Sequence, residues 1–160
     1  MRFKSATSRF RDGFTLIEIL VAVAIGMVLF SGGLAAYRGI GEKQEVKQAG
    51  ISFQTNLRLF QKKAMAGEKP VGCVGSLIGF KVSYYDADSY VLQADCQTTD
   101  PSSNTIDLDE NIVFTASFSD VLFSVLKTQV VGSQVITLTN GTFSYAVTVS
   151  PNGVIEGKLL

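Results

Sequence analysis

Histidine and tryptophan are absent from this 160-residue chain. The lack of His removes the side chain most used for acid–base work near neutral pH, and with it a common metal ligand. Catalysis by Asp, Glu, Lys or Ser stays chemically open, but an enzyme is disfavoured and neither a cofactor nor a metal is expected. Net charge is lacking as well. It is formally zero at pH 7, which advertises no nucleic-acid or acidic-substrate partner for the molecule as a whole. Serine and threonine are plentiful. With no His and no nucleophile-elbow motif they read as β-surface and turn residues. The glycine-rich run 72–79 lacks a following Gly-Lys-Ser or Gly-Lys-Thr, so it is not a phosphate loop. Only two cysteines occur, Cys73 and Cys96. In an exported domain an even count favours one disulfide over two buried thiols. A loop of that size contributes about 3 kcal/mol when its closure is unstrained.

The charge that is present is distributed unevenly. Arg2, Lys4, Arg9 and Arg11 stand against Asp12 alone at the start of the chain. Directly after them, from Phe14 to Tyr37, runs an almost uncharged stretch, FTLIEILVAVAIGMVLFSGGLAAY. About 20 apolar residues in a helix span the hydrocarbon core of a bilayer. The run exceeds the short apolar core of an ordinary cleaved signal peptide. It is apolar on all faces, which disfavours a core helix with one buried stripe. The basic flank keeps residues 1–13 on the cytoplasmic side and sends the rest outside. One charge interrupts the run, Glu18. A carboxylate at that depth costs a few kcal/mol and calls for a partner. No Lys or Arg lies one helical turn away within the segment. Cleavage after Gly13 would create a positive α-amino group on Phe14, four residues before Glu18. That amine could meet the carboxylate within one helix or across to a neighbouring subunit.

Gly13-Phe14-Thr15-Leu16-Ile17-Glu18, with its basic leader and apolar continuation, resembles the processing motif of type IV prepilins and pseudopilins. The resemblance implies that a prepilin peptidase cuts after Gly13 and that Phe14 becomes N-methylphenylalanine. It also implies that Glu18 sets register and assembly. Other pilin or pseudopilin subunits, an inner-membrane assembly platform and membrane lipid are the implied partners, with assembly driven by a separate cytoplasmic ATPase. Many pilins carry a proline in the later part of this helix. Here Gly26 and the pair Gly32-Gly33 stand in that region instead. They serve either local bending or close helix packing, since each glycine weakens a helix interior by roughly 1 kcal/mol.

After Gly41 the pattern changes. Val46, Ala49, Phe53, Leu57, Phe60 and Ala64 recur at spacings of three or four, while Glu42, Lys43, Glu45, Lys47, Gln54, Arg58, Lys62 and Lys63 occupy the other faces. This predicts an amphipathic helix with a solvated polar side, ending near Gly67 with Pro70 beyond. One continuous helix of about 50 residues would reach some 75 Å, and so small a domain cannot cover it all. Strands are predicted at Leu77–Tyr85, Tyr90–Cys96, Ile112–Phe118, Val121–Leu126, Val135–Thr139, Thr142–Val149 and Val154–Lys158. Asn140-Gly141 is a hairpin signal. The expected architecture is α+β, a long N-terminal helix packed on a mostly antiparallel sheet. Its expected organisation is a leader at 1–13, a transmembrane helix half at 14–38, an amphipathic half at 39–68 and an exported β-domain at 69–160. The stretch 57–64 with Pro70-Val71, and the close from Ile136 to Gly153, resemble H-type minor pseudopilins of type II secretion and related fimbrial minor pilins.

Two further site classes are disfavoured. Asp86-Ala87-Asp88 and Asp107-Leu108-Asp109-Glu110 are acidic turns without the glycine-punctuated spacing of a calcium loop. Lys62, Lys63 and Lys69 gather near the helix end while Lys127 and Lys158 are isolated in sequence, a thin footprint for nucleic acid. The expectation is a structural subunit, a minor pilin or pseudopilin, of a pilus, type II secretion pseudopilus or competence filament. It would wait in the inner membrane as a single-pass protein before assembly. The alternatives are an uncleaved, membrane-anchored extracytoplasmic binding domain and a DNA-binding minor pilin.

Overall fold

The computed structural model describes residues 15–160, without the side chains of residues 30–38. It is α+β: one helix, α1 (Leu16–Ala66), precedes nine antiparallel strands. These are β1 (Leu77–Asp86), β2 (Ser89–Cys96), β3 (Asn104–Asp107), β4 (Val113–Phe114), β5 (Val121–Ser124), β6 (Val130–Val131), β7 (Gln134–Thr139), β8 (Ser144–Val149) and β9 (Ile155–Leu159). By its contacts the chain divides into two units between Gly39 and Ile40. In the first, every side chain described from Thr15 to Leu29 is exposed.

The second unit holds the core. The expected helical stripe is there: Val46, Ala49, Phe53, Leu57 and Ala64 are buried, with Phe60 half-buried beside them. They meet two sheets rather than the single sheet the sequence predicts, in the orders β3-β2-β1-β5-β6 and β4-β7-β8-β9. Alternate residues of the longer strands point inward, Phe80 and Val82 from β1, Leu92 and Ala94 from β2, Ile136 and Leu138 from β7. Phe53 sits where both sheets reach the helix. Its ring meets Tyr90 at 4.9 Å, Phe114 at 5.5 Å and Phe118 at 6.0 Å, all edge-on. Such pairs add about 0.5–1.5 kcal/mol each beyond area burial.

The helix stops as its glycine requires. Gly67 has φ +63°, its N–H donates to Ala64 O, and the N–H of Glu68 donates to Lys63 O. Both last-turn carbonyls are thereby satisfied in a Schellman motif. Cys73 and Cys96 are joined, with Cα atoms 5.8 Å apart, tying the segment after the helix to the end of β2.

Several expectations shift. The predicted strand Ile112–Phe118 shrinks to Val113–Phe114, because Phe118 leaves the strand line to pack against Phe53, Tyr84 and Phe114. β3 falls where a polar loop was expected to end. It is an edge strand with one inward-leaning residue, Ile106, so it shows no alternation to read. β6 is only two residues long and escapes a periodicity search for the same reason. The hairpin at Asn140-Gly141 forms, but Thr139 pairs with Ser144 and four residues connect the strands. Asn140 Oδ1 accepts from the N–H groups of Thr142 and Phe143, which holds the longer turn. Gln54 leaves the solvated side assigned to it, while Arg58 stays exposed and still hydrogen-bonds the sheet. Gln54 is buried and its Nε2 donates to Ile155 O at 3.1 Å, and Arg58 Nη2 donates to the same oxygen at 2.8 Å. β9 is an edge strand, and these side chains satisfy a carbonyl that no further strand would pair. Close approach on this side requires Gly50, where a Cβ would overlap the Tyr145 ring.

Candidate functional site

The residues singled out at the start of the chain fall on both sides of the described boundary. Gly13 and Phe14, the expected cleavage and methylation positions, lie outside the described residues, as does the basic leader. Thr15 is the first described residue and caps the helix. Its Oγ1 accepts from the N–H of Glu18 at 3.3 Å, and its carbonyl accepts from Glu18 N at 3.1 Å and Ile19 N at 3.3 Å. Thr15-x-x-Glu18 has the spacing of a capping box, and Glu18 stands in the first turn, where the helix dipole favours an anion. The sequence reading gave Glu18 a role and overlooked Thr15. The Thr-x-x-Glu spacing ahead of an apolar run is the signal that identifies it.

Among the described residues Glu18 forms no ion pair. It lines a shallow hollow of about 390 Å³ with Ile19, Ala22 and Val23, and a second apolar hollow of about 300 Å³ follows along Ala24, Ile25, Val28 and Leu29. Leu16 is 81% exposed and Val28 and Leu29 are each 72% exposed. Full burial of a side chain of this kind is worth about 1.5–3 kcal/mol, so the surface favours lipid or protein over water. Among the described residues no helix is long and apolar enough to cross a membrane. The fully described apolar run, residues 16–29, is shorter than the about 20 residues a bilayer asks for. The remainder of the expected span, up to residue 38, falls on side chains outside the description.

The other candidate residues sit in the second unit. Asp86 Oδ1 accepts from the N–H of Ala87 at 2.7 Å and shapes the β1–β2 turn. Leu108 N donates to Asp88 O at 2.7 Å, which brings Asp107, Asp109 and Glu110 beside that turn. No group of three or more metal-ligating side chains forms among the described residues. Lys62, Lys63 and Lys69 lie at the helix end, and Lys127 joins them, because the N–H of Leu126 donates to Ala64 O. Lys158 stands apart on β9. Tyr90 is buried against Phe53, and Asn56 Nδ2 donates to its hydroxyl at 2.6 Å. Burial pushes its pKa above the ordinary 10.0, and the Asn56 hydrogen bond pulls the other way.

The structure therefore presents a capped, apolar, exposed helix start whose carboxylate, Glu18, has no ion-pair partner among the described residues, and a disulfide-tied β-domain with its own core. No curated protein and no solved structure matches the chain. Residues 8–34 match the family described as the prokaryotic N-terminal methylation motif, the type IV prepilin signature. The match supports a type IV pilin-like precursor processed by prepilin peptidase and points to a structural subunit and not to an enzyme.

Proposed function

We propose that this chain is a minor pilin or pseudopilin, a structural subunit of a type IV pilus, a type II secretion pseudopilus or a competence filament. Prepilin peptidase removes residues 1–13 by cutting after Gly13, and the new N-terminus is methylated at Phe14. Residues 14–38 hold the precursor in the inner membrane as a single pass, with the β-domain outside. Assembly then moves the same apolar helix from lipid into contact with other subunits.

The observation that carries this reading is the matched motif at 8–34, together with a helix start whose side chains from Leu16 to Leu29 are all exposed although nearly all are apolar. Glu18 supplies the chemical logic. Its carboxylate has no cationic partner among the described residues, and an unpaired charge in an apolar medium is costly. Cleavage after Gly13 creates that partner as the α-amine of Phe14. The test is co-expression with a prepilin peptidase, followed by intact-mass measurement and N-terminal sequencing. The expected product lacks residues 1–13, begins at Phe14 and carries one added methyl group. An uncut chain in the presence of active peptidase overturns the reading and leaves a membrane-anchored binding domain in its place.

A further inference from the structure

Five asparagines occur, Asn56, Asn104, Asn111, Asn140 and Asn152, and the last two are each followed by glycine. Asparagine is thermolabile, because the main-chain nitrogen of the next residue can attack its side-chain carbonyl carbon. Glycine has no side chain to hinder that approach and has the freest backbone. Leu57, Thr105 and Ile112 set a branched side chain beside the same nitrogen and oppose it.

The fold holds the two Asn-Gly pairs differently. Their attacking nitrogens are engaged alike, Gly141 N donating to Thr139 Oγ1 at 3.0 Å and Gly153 N to Ser150 O at 3.0 Å. The carboxamides are not. Asn140 Oδ1 accepts from Thr142 N and Phe143 N, and its Nδ2 donates to Glu42 O at 3.2 Å. Asn152 Oδ1 accepts once, from Val154 N at 3.3 Å. Asn152 is exposed, and Asn140 is half-buried. Turning the carboxamide toward the glycine nitrogen therefore breaks three bonds at Asn140 and one at Asn152.

We propose that Asn152 is a self-modifying site, converted in water to aspartate and isoaspartate ahead of Asn140. Gly153 N gives up its proton and bonds to Asn152 Cγ. The Cγ–Nδ2 bond breaks, the proton returns to the departing nitrogen, and ammonia leaves a succinimide ring behind. Water then adds to one of the two ring carbonyls, its proton going to the ring nitrogen. Opening at Cγ leaves aspartate. Opening at the main-chain carbonyl leaves isoaspartate, whose backbone runs through the side chain and is one methylene longer. One water is consumed, one ammonia is released, and nothing is oxidised or reduced.

The place of this turn gives the change its effect. Pro151 O accepts from Val130 N of β6, and Gly153 O accepts from Gln61 Nε2 of α1, so the β8–β9 turn ties its own sheet to the other sheet and to the helix. Gly153, at φ +85°, lies so close to Thr128 O that a Cβ there would overlap it. A methylene added between the two carbonyls displaces one of them and loosens the joint. The conversion needs no enzyme and does not regenerate asparagine, so its extent records time since folding. It requires neither cleavage nor assembly, and goes beyond the subunit reading.

The test ages the full chain in detergent micelles in heavy-oxygen water at mildly alkaline pH. Peptide mapping reads the label taken up at each asparagine, and electron-transfer fragmentation separates isoaspartate from aspartate. Label is expected at position 152 about tenfold faster than at position 140, a ratio set by the two additional hydrogen bonds. With the chain reduced and unfolded in guanidinium, the two rates are expected to converge. Equal rates in the folded chain, a faster Asn140, or a position 152 that stays unlabelled while the unfolded chain reacts overturns the proposal. Hydrogen exchange at Val130 N reads the joint. It is expected to quicken in the aged wild type and not in aged Asn152→Gln, with Asn152→Ser in its place if that variant melts early. Unchanged exchange in a chain carrying isoaspartate at 152 overturns the loosening.

Discussion

One helix carries two kinds of surface. Along residues 16–29 every side chain is exposed, although nearly all are apolar. Along residues 46–64 the apolar residues recur every third or fourth position and are buried, while the polar ones are outside or bonded. The polar residues show the same contrast. Gln54 is buried with its amide on Ile155 O, and Glu18 has no ion-pair partner among the described residues. The second stretch is completed by its own chain. The first keeps its described side chains exposed, a surface that favours an apolar surrounding over water.

The sharpest way to break that comparison is to remove one large side chain from each stretch. Phe53→Ala empties the place where both sheets meet the helix and is expected to destabilise the full chain by about 3–5 kcal/mol in urea unfolding. Leu20→Ala, in the exposed stretch, is expected to leave that unfolding transition within about 0.5 kcal/mol of wild type, while weakening recovery in sheared filaments. Equal losses from the two substitutions would mean that residues 16–29 are part of the domain's own stability.

A smaller effect sharpens the first half of the comparison. Thr15→Ala removes the side-chain acceptor for Glu18 N and should cost the helix start about 1 kcal/mol. Helicity by circular dichroism in micelles reads it, and Thr15→Ser should restore most of the loss. If both variants match wild type, the cap contributes nothing and Glu18 acts through its charge alone.

How much of this was legible beforehand follows from the same physics. The stripe Val46–Ala64, the helix end at Gly67 and the long strands were readable because repeated burial leaves a period and a left-handed turn asks for glycine. β3 and β6 were not, because an edge strand with one inward residue carries no period. The second sheet was hidden for a different reason. Only the fold reveals that Gln54, Arg58 and Gln61 turn to the carbonyls of Ile155 and Gly153, since polar residues on a helix read as solvated until an edge strand arrives beside them. Of the candidate site, the motif through Glu18 was legible and the role of Thr15 was passed over.

The smallest effect concerns the polar pair that completes the second stretch, half-buried Asn56 and buried Tyr90. Burial favours the neutral phenol, so the folded-state pKa lies above the ordinary 10.0. Below that value both states hold the proton and the contribution is fully present. As pH rises past it, the unfolded chain ionises first, and stability falls until the folded phenol also titrates. Tyr90→Phe should flatten this alkaline loss relative to wild type in urea melts taken from pH 8 to pH 11. At neutral pH the same substitution leaves Asn56 Nδ2 without its 2.6 Å acceptor and should cost about 1 kcal/mol. The two effects have opposite signs across the titration, so the curves of wild type and variant should converge as pH rises. Parallel curves would mean that Tyr90 ionises as easily in the fold as in water, and that the interior around Phe53 is wetter than its packing implies.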